Sequence, residues 1–192
     1  MVKVEITNGW YVHEENYIHQ NLAEEILNTL FRELPWKSGE IQLFGKVYII
    51  PRKQVYFSEN QLGYSYSGKQ LFIDLWHPTV LEIKEKVSKE LSSEFNACLA
   101  NLYRNGLDSS GWHADNEKEL GENPLIASLS FGATRRFDLR HKVTNEKISV
   151  ELKSGSLFVM GGEMQHYWKH QLPKQRKVQK PRINLTFRRI IS

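Results

Sequence analysis

Arg182-Ile183-Asn184-Leu185-Thr186-Phe187-Arg188 alternates polar and apolar residues without a break. Side chains two apart on an extended chain share a face, so Ile183, Leu185 and Phe187 enter a core while Arg182, Asn184, Thr186 and Arg188 line the opposite side. A strand with one solvated face would show the same alternation. Two arginines separated by short hydrogen-bonding residues also make a clamp for a small dicarboxylate, because the planar guanidinium meets a carboxylate through two parallel bonds. Under both readings the stretch is a β-strand.

Working upstream, further short β runs are expected near 97–104, 125–131, 135–141, 147–153, 156–160 and 166–172, with the last strand at 182–190. Gly132-Ala133, Thr144-Asn145 and Ser154-Gly155 supply turn residues between some of them. Before these, Ile18, Leu22, Ile26, Leu30 and Leu34 recur at four-residue steps, opposite Glu24, Glu25, Asn28 and Arg32. That is the pattern of an amphipathic helix, ended by Pro35. Pro78 opens a second helix with Val80, Ile83, Val87 and Leu91 on its apolar face. Residues 1–18 read as irregular or extended and Ile41 to Ile50 as β. Pro51 to Gly68, rich in Tyr, Ser and Gly, reads as a long surface loop. Two helices followed by many short antiparallel strands predict an α+β fold: a double-stranded β-helix (jelly roll) with the N-terminal helices packed against one sheet.

The 192 residues suit one domain with a sizeable core. A net charge of +4 and a pI near 9.1 permit a polyanionic partner without requiring one. The lone cysteine, Cys98, excludes an internal disulfide and fits a reducing compartment. No signal pattern and no bilayer-length apolar stretch is present, so a soluble intracellular protein is expected, in cytoplasm or nucleus according to organism. No heptad demands a dimer, and a monomer is expected.

The segment Asn101-Leu-Tyr-Arg-Asn-Gly-Leu-Asp-Ser-Ser-Gly-Trp-His-Ala-Asp115 carries an H-x-D pair, a candidate for metal binding. If it is extended, the His113 imidazole and the Asp115 carboxylate converge on one face. With one distant His such a pair forms the facial triad that holds a non-haem Fe(II) and leaves positions open for substrates. His166 and His170 both lie downstream in Met-Gln-His-Tyr-Trp-Lys-His-Gln-Leu-Pro, and His141 is a weaker candidate. His166 and His170 would face the same side of a strand, so spacing leaves the third ligand open. Asn101 and Tyr103 are again two apart, an amide and a phenol that could bond the remote carboxylate of a diacid.

H-x-D, a distant His before Leu-Pro, and then Arg-Ile-Asn-Leu-Thr-Phe-Arg resemble the AlkB family of Fe(II)/2-oxoglutarate dioxygenases. Pro124-Leu-Ile-Ala-Ser-Leu-Ser-Phe-Gly and Gly155-Ser-Leu-Phe-Val-Met are similar to that family too. The resemblance runs from about Ile41 to the C-terminus. It implies Fe(II) on the catalytic residues His113, Asp115 and His170, the last being the histidine nearer Leu-Pro. It implies 2-oxoglutarate bound at its remote carboxylate by Arg182 with Asn101 and Tyr103, and by Arg188 near its iron-bound end. Asn184 and Thr186 complete that pocket, and O2 is the second cosubstrate.

Leu43-Phe44-Gly45-Lys46, Pro51-Arg52-Lys53-Gln54 and Tyr64-Ser65-Tyr66-Ser67-Gly68 resemble the branch that repairs alkylated bases in duplex DNA. The resemblance implies that Phe44 fills the gap left by an extruded base, where an aromatic wedge recovers part of the lost stacking. Tyr66 stands where the branch commonly has Phe and would stack on the flipped base, its hydroxyl needing a partner. Tyr64 and Glu117 would line the same pocket, and Arg52 and Ser67 join the substrate-binding set. Lys174, Arg176, Lys177 and Lys180 form a basic loop suited to phosphates of the opposite strand, with Arg135, Arg136, Arg140 and Lys142 adding to that surface. The expected function is thus oxidative demethylation of 1-methyladenine and 3-methylcytosine in DNA, with base flipping and decarboxylation of 2-oxoglutarate. Residues 1–95 would carry the helices and the recognition hairpin and loop, and 96–192 the catalytic jelly roll. Two alternatives stand beside it: the same chemistry on RNA or single strands, and a non-catalytic nucleic-acid-binding jelly roll.

Overall fold

In the computed structural model the described residues are 1–43, 46–59, 65–66, 69–70 and 72–191, of which 41–43, 46, 65–66 and 69–70 are described as backbone only. The chain opens with a hairpin, β1 (Lys3–Ile6) and β2 (Gly9–Glu14). Helix α1 (Gln20–Glu33) follows, and then β3 (Lys37–Leu43), β4 (Lys46–Ser58), β5 (Ser65–Tyr66), β6 (Lys69–Gln70) and β7 (Ile73–Asp74). After helix α2 (Pro78–Leu91) come β8 (Ala97–Tyr103), β9 (Ser110–His113), β10 (Ile126–Gly132), β11 (Arg135–His141) and β12 (Lys147–Leu152). The chain ends with β13 (Leu157–Gly161), a one-turn helix α3 (Met164–Tyr167), β14 (Trp168–Leu172) and β15 (Arg182–Arg188).

From β8 onward the chain passes back and forth between two sheets. Strands β13, β10, β15 and β8 lie side by side in the larger sheet, and β12, β11, β14 and β9 form the smaller one. This alternation is a double-stranded β-helix, as expected from the run of short strands. The larger sheet is extended at one edge by β2 and β1 and at the other by β4 and β3. The N-terminal residues, read as irregular or extended, therefore make a hairpin whose second strand pairs with β13.

Two cores result. Ile183, Leu185 and Phe187 of β15 meet Ala23, Ile26 and Leu30 of α1 and Val80, Ile83 and Val87 of α2 on the outer face of the larger sheet. Leu99, Ile126, Leu139, Leu152, Phe158 and Trp168 fill one end of the space between the sheets. The helix stripe differs from the four-residue pattern in one place: Leu22 is 49% exposed and Ala23 takes the buried position. A period of 3.6 rather than 4 rotates the buried face one residue onward. Helix α1 stops because Pro35 forces Leu34 into an extended conformation. Pro78 begins α2, where the His77 ring accepts the Thr79 N–H.

The expected loop from Pro51 is instead strand as far as Ser58. β4 is held between β3 and β8, which buries Val55, Tyr56 and Phe57. Pro51 is accommodated because the register with β3 slips between Ser38 and Glu40, where no donor is required of it. The turns at Gly132, Asn145 and Gly155 are as expected, all with positive φ. At Gly155 a Cβ would lie 2.2 Å from the Ile18 carbonyl oxygen, so only glycine fits where that loop meets the start of α1.

The two leucines of α1 give a direct test of this packing. Leu30→Ala should lower the unfolding free energy by about 2–5 kcal/mol, whereas Leu22→Ala should change it by less than about 1 kcal/mol. Urea denaturation of both variants measures the difference, and equal losses would place the helix in the wrong rotation.

Candidate active site

His113 is the last residue of β9, and in β14 His170 stands directly opposite it in register. The two rings lie 4.3 Å apart between centroids. Asp115 falls just beyond β9, so the carboxylate reaches the imidazoles from a turn rather than from a continuous strand. Its backbone N–H donates to Gln165 Oε1 at 3.0 Å, which ties that turn to α3. One ligand atom from each of His113, Asp115 and His170 lies within 4.8 Å of the others, the one such cluster among the described residues. His166, by contrast, is in α3 and exposed, not on the strand face that it was expected to share with His170. His141 is buried elsewhere, its Nδ1 accepting the N–H groups of Val143 and Thr144.

The electrostatics suit a divalent metal. Burial lowers the pKa of His170 to about 3, helped by the neighbouring His113, so the ring is neutral at physiological pH. Burial also lowers His113, with Asp115 opposing it. His113 Nδ1 donates to the Gly111 carbonyl at 2.7 Å, which leaves the ring lone pair on Nε2. Burial alone would raise Asp115, but the Arg188 guanidinium and the two histidines hold it down to about 2. Arg188 Nη2 donates to Asp115 Oδ2 at 2.8 Å, while Oδ1 is buried without a hydrogen-bond partner. Two neutral imidazoles and a carboxylate with one unused buried oxygen are the donor set of a 2-His-1-carboxylate centre, and they fit Fe(II).

The polar face of β15 turns into the cavity between the sheets, which removes the solvated-strand alternative. Arg182, Asn184, Thr186 and Arg188 are all buried and line the same cavity as the triad. Arg182 pairs in register with Tyr103, and Asn184 with Asn101. Arg182 lies over the Tyr103 ring, 5.3 Å from its centroid, and Nη2 donates to Ser130 Oγ at 2.9 Å. Its Nε has no hydrogen-bond partner, and it has no carboxylate among the described residues. Burial pushes this guanidinium down to about 10. An unpaired buried cation costs on the order of several kcal/mol, so the position is built for an anion.

Asn101 shows how that anion is approached. Its Oδ1 accepts from Arg52 Nε at 2.9 Å and from Gln54 Nε2 at 2.9 Å, which turns the two amide donors toward the cavity. Asn184 donates to Ser128 Oγ and the Leu129 carbonyl and accepts from Thr186 Oγ1, so it braces the pocket and both of its amide donors are committed. Arg188 was expected beside the metal-bound end of a diacid, and its bond here is to the metal-binding carboxylate itself.

The substrate-side residues are placed less uniformly. Phe44, Tyr64 and Ser67 lie outside the described residues, and Tyr66 is described only as backbone in β5. Glu117 is partly buried just before a short 3-10 turn at Lys118–Leu120. Arg52, expected to meet substrate, is only 7% exposed and bonds Asn101 and the Ser109 carbonyl. Arg176 and Lys177 are exposed on the β14–β15 loop, as are Lys174 and Lys180. That loop is anchored where Gln175 and Val178 exchange backbone bonds with Gly106, whose Cβ would meet the Gln175 carbonyl oxygen at 1.8 Å. Arg135 is no part of the basic surface. It is 1% exposed and bonds the carbonyls of Asn105, Asp108 and Pro173. Gln54, Ser130 and Gln165 were not among the expected site residues, because only the pairing of β4 with β8 and of β15 with β10 brings Gln54 to Asn101 and Ser130 to Arg182.

Residues 11–188 match the family described as the 2OG-Fe(II) oxygenase superfamily. The chain belongs to that family. Within it, the chain is 38% identical over 178 residues to the bovine (Bos taurus) alpha-ketoglutarate-dependent dioxygenase alkB homolog 3, which covers 88% of this chain and 62% of that one. It is also 38% identical over 180 residues to the human (Homo sapiens) DNA oxidative demethylase ALKBH2, covering 88% of this chain and 69% of the relative. These relatives place it in the AlkB branch of the 2OG-Fe(II) oxygenases. The chain spans about two-thirds of the length of the relatives it matches. Among solved structures, OsALKBH1 superimposes with a TM-score of 0.62 at 18% identity, covering 97% of this chain and 100% of that one, a likeness of fold.

The two halves of the site should separate experimentally. His170→Ala should lose Fe(II) binding in anaerobic titration, whereas Arg182→Ala should keep the metal and weaken 2-oxoglutarate binding by roughly two orders of magnitude. Retention of 2-oxoglutarate affinity by Arg182→Ala would show that the anion sits elsewhere.

Proposed function

We propose that this chain removes N-linked methyl groups from damaged DNA bases, 1-methyladenine and 3-methylcytosine, in duplex DNA, coupled to decarboxylation of 2-oxoglutarate. The observation that carries the reading is the shared cavity: a His-Asp-His cluster and an unpaired buried arginine line one space. The names of the relatives support DNA as the substrate, ALKBH2 being called a DNA oxidative demethylase.

In this reading His113, Asp115 and His170 hold Fe(II), which when bound together with 2-oxoglutarate supplies the oxidation of an N-methyl carbon by O2. Arg182 and Tyr103 receive the remote carboxylate, and the Asn101 amide, oriented by Arg52 and Gln54, donates to the same diacid. Arg188, with the two histidines, holds the Asp115 pKa down to about 2, so the carboxylate is ionised and able to act as a ligand near neutral pH. Leu99, Phe137, Leu152 and Met160 line the rest of the cavity and limit water. A hydroxylated methyl on a ring nitrogen is a hemiaminal, which collapses to formaldehyde and the restored base.

Residues 1–95 serve recognition and 96–192 catalysis. Phe44 is the wedge, and the exposed apolar residues that follow it in the sequence support that role. Val47, Tyr48 and Ile49 on β4 are 59%, 50% and 73% exposed, an apolar cluster that an isolated monomer has little reason to show to water. Tyr64, Tyr66, Ser67 and Glu117 form the base pocket, and Arg176 and Lys177 meet phosphates. We place the protein as a monomer in a reducing intracellular compartment, consistent with its one free, buried cysteine. No helix among the described residues is long and apolar enough to cross a membrane.

The test is incubation of the protein with Fe(II), 2-oxoglutarate, ascorbate and a duplex oligonucleotide bearing one 1-methyladenine, followed by mass spectrometry. Loss of the methyl group, dependent on both cofactors, is the expected result. Succinate formation with no change in the oligonucleotide would move the substrate to RNA or elsewhere. Phe44→Ala should slow repair of duplex roughly tenfold or more, in line with the stacking worth of one base, and leave single strands nearly unaffected. Equal losses on both would make Phe44 structural.

A further inference from the structure

The outer face of the smaller sheet carries a cluster that the reaction above does not use. On β9 the side chains alternate, so that His113 turns toward the cavity while Trp112 is 41% exposed on the other side. Lys169 of β14 and Arg140 of β11 face each other in register on that same outer side. Together with Trp112, His141 and Lys142 they line a concavity of about 280 Å³.

Two features mark this concavity as a binding site and not a solvated face. Its cations lack counter-ions: among the described residues Arg140, Lys142 and Lys169 form no ion pair. Arg140 instead donates to Asn145 Oδ1, and Lys142 to the carbonyls of Gln165 and His166. The adjoining Arg136 is neutralised by Asp138 at 3.1 Å, so the excess charge is confined to the concavity. Lys142 is lowered by burial and further by Lys169, the mark of like charges held close. Secondly, the Trp112 ring has no aromatic or cationic partner among the described residues, which leaves a π-face unused beside three positive groups.

A planar aromatic surface next to unpaired cations is complementary to a nucleotide, whose base stacks while its phosphates meet the cations. A paired base cannot present its face in this way, so the ligand must be unpaired. We propose that Trp112, Arg140, Lys142 and Lys169 bind a nucleotide of a single-stranded segment on the outer face of the smaller sheet, outside the cavity. β9 is the edge strand of that sheet, and Trp112 directly precedes the metal-site residue His113. A strand with one base in the cavity can therefore pass around this edge and lay a flanking nucleotide on Trp112. The inference rests on the nucleic-acid reading above and adds to it a contact that only substrates with an unpaired flank can make.

The test is fluorescence anisotropy with labelled oligothymidylate and a labelled blunt duplex, at several salt concentrations, using the full chain loaded with Fe(II). Trp112→Ala should bind oligothymidylate about tenfold more weakly, matching the worth of one stacked base, and bind duplex as the wild type does. Trp112→Phe should recover most of the loss. Lys169→Ala should reduce the salt slope on single strands by about 0.7, the value for one phosphate. Thermal melting of each variant checks folding. The proposal is overturned if Trp112→Ala binds oligothymidylate normally, or if it loses duplex and single-strand binding equally, since the face would then be a backbone contact. Wild-type protein that binds no oligonucleotide would overturn both this proposal and the nucleic-acid reading. Normal duplex repair by the wild type, together with unchanged oligothymidylate binding by Trp112→Ala, would overturn this proposal alone.

Discussion

Arg188 and Asp115 form an ion pair at 2.8 Å with both side chains almost removed from water, and the rest of the site is arranged around it. The pair joins the last strand of the larger sheet to the turn that follows β9 in the smaller one, so the two sheets are tied at the point where the metal ligands converge. A buried pair of this kind contributes little to net stability, because desolvation cancels most of the Coulomb gain, but losing either partner is costly. Its value here is positional. With one carboxylate oxygen committed to Arg188, the other faces the imidazoles, and a neutral His170 opposite a neutral His113 completes the donor set. The Gln165 side chain, which accepts the Asp115 N–H, holds the same turn from the other side.

Much of this was readable in the residues because it depends on periodicity. The alternation of Arg182–Arg188 needs only a period of two to separate core from cavity, and every residue of that strand is on the expected side. The helices, the turns and seven of the eight jelly-roll strands follow from equally local signals, while β9 was not among the strands expected. What could not be read depends on which strands become neighbours. Arg52 and Gln54 lie in a stretch whose Tyr, Ser and Gly content suits a loop, and only pairing of β4 with β8 places Gln54 opposite Asn101. Arg135 looks like part of a basic surface until the Asn105–Asp108 turn and the β14–β15 loop close over it. His166 and His170 are four residues apart, and a single helical turn before β14 removes one of them from the strand face.

The two arginines of β15 then have different roles despite their matching positions. Arg188 has its carboxylate within the protein, and its pair holds the metal site together. Among the described residues Arg182 has a hydroxyl, an aromatic ring and no acid, and burial lowers its pKa. A folded chain tolerates that cost only where the missing charge arrives with a ligand. The separation of the two along one rigid strand would therefore suit a diacid with its remote carboxylate at Arg182 and its other end at the metal site beside Arg188. Placing both on a central strand, buried on both faces and hydrogen-bonded to β8 and β10, keeps that span from drifting as a loop would.

The same logic of unpaired charge separates the basic residues outside the cavity. Arg136 and Arg104 are matched by Asp138 and Asp108, and Lys153 by Glu15, so these cations offer little field to a partner. Among the described residues Arg140, Lys142 and Lys169 are not matched, and they stand on the reverse side of the strands that carry the metal ligands. A strand can do this because its side chains alternate: β9 gives His113 to the inside and Trp112 to the outside, and β14 gives His170 to the inside and Lys169 to the outside. The smaller sheet is thus chemically two-sided. Its inner face concentrates neutral imidazole around a carboxylate, and its outer face concentrates cations around an indole. The rigidity that fixes the inner geometry fixes the outer one as well.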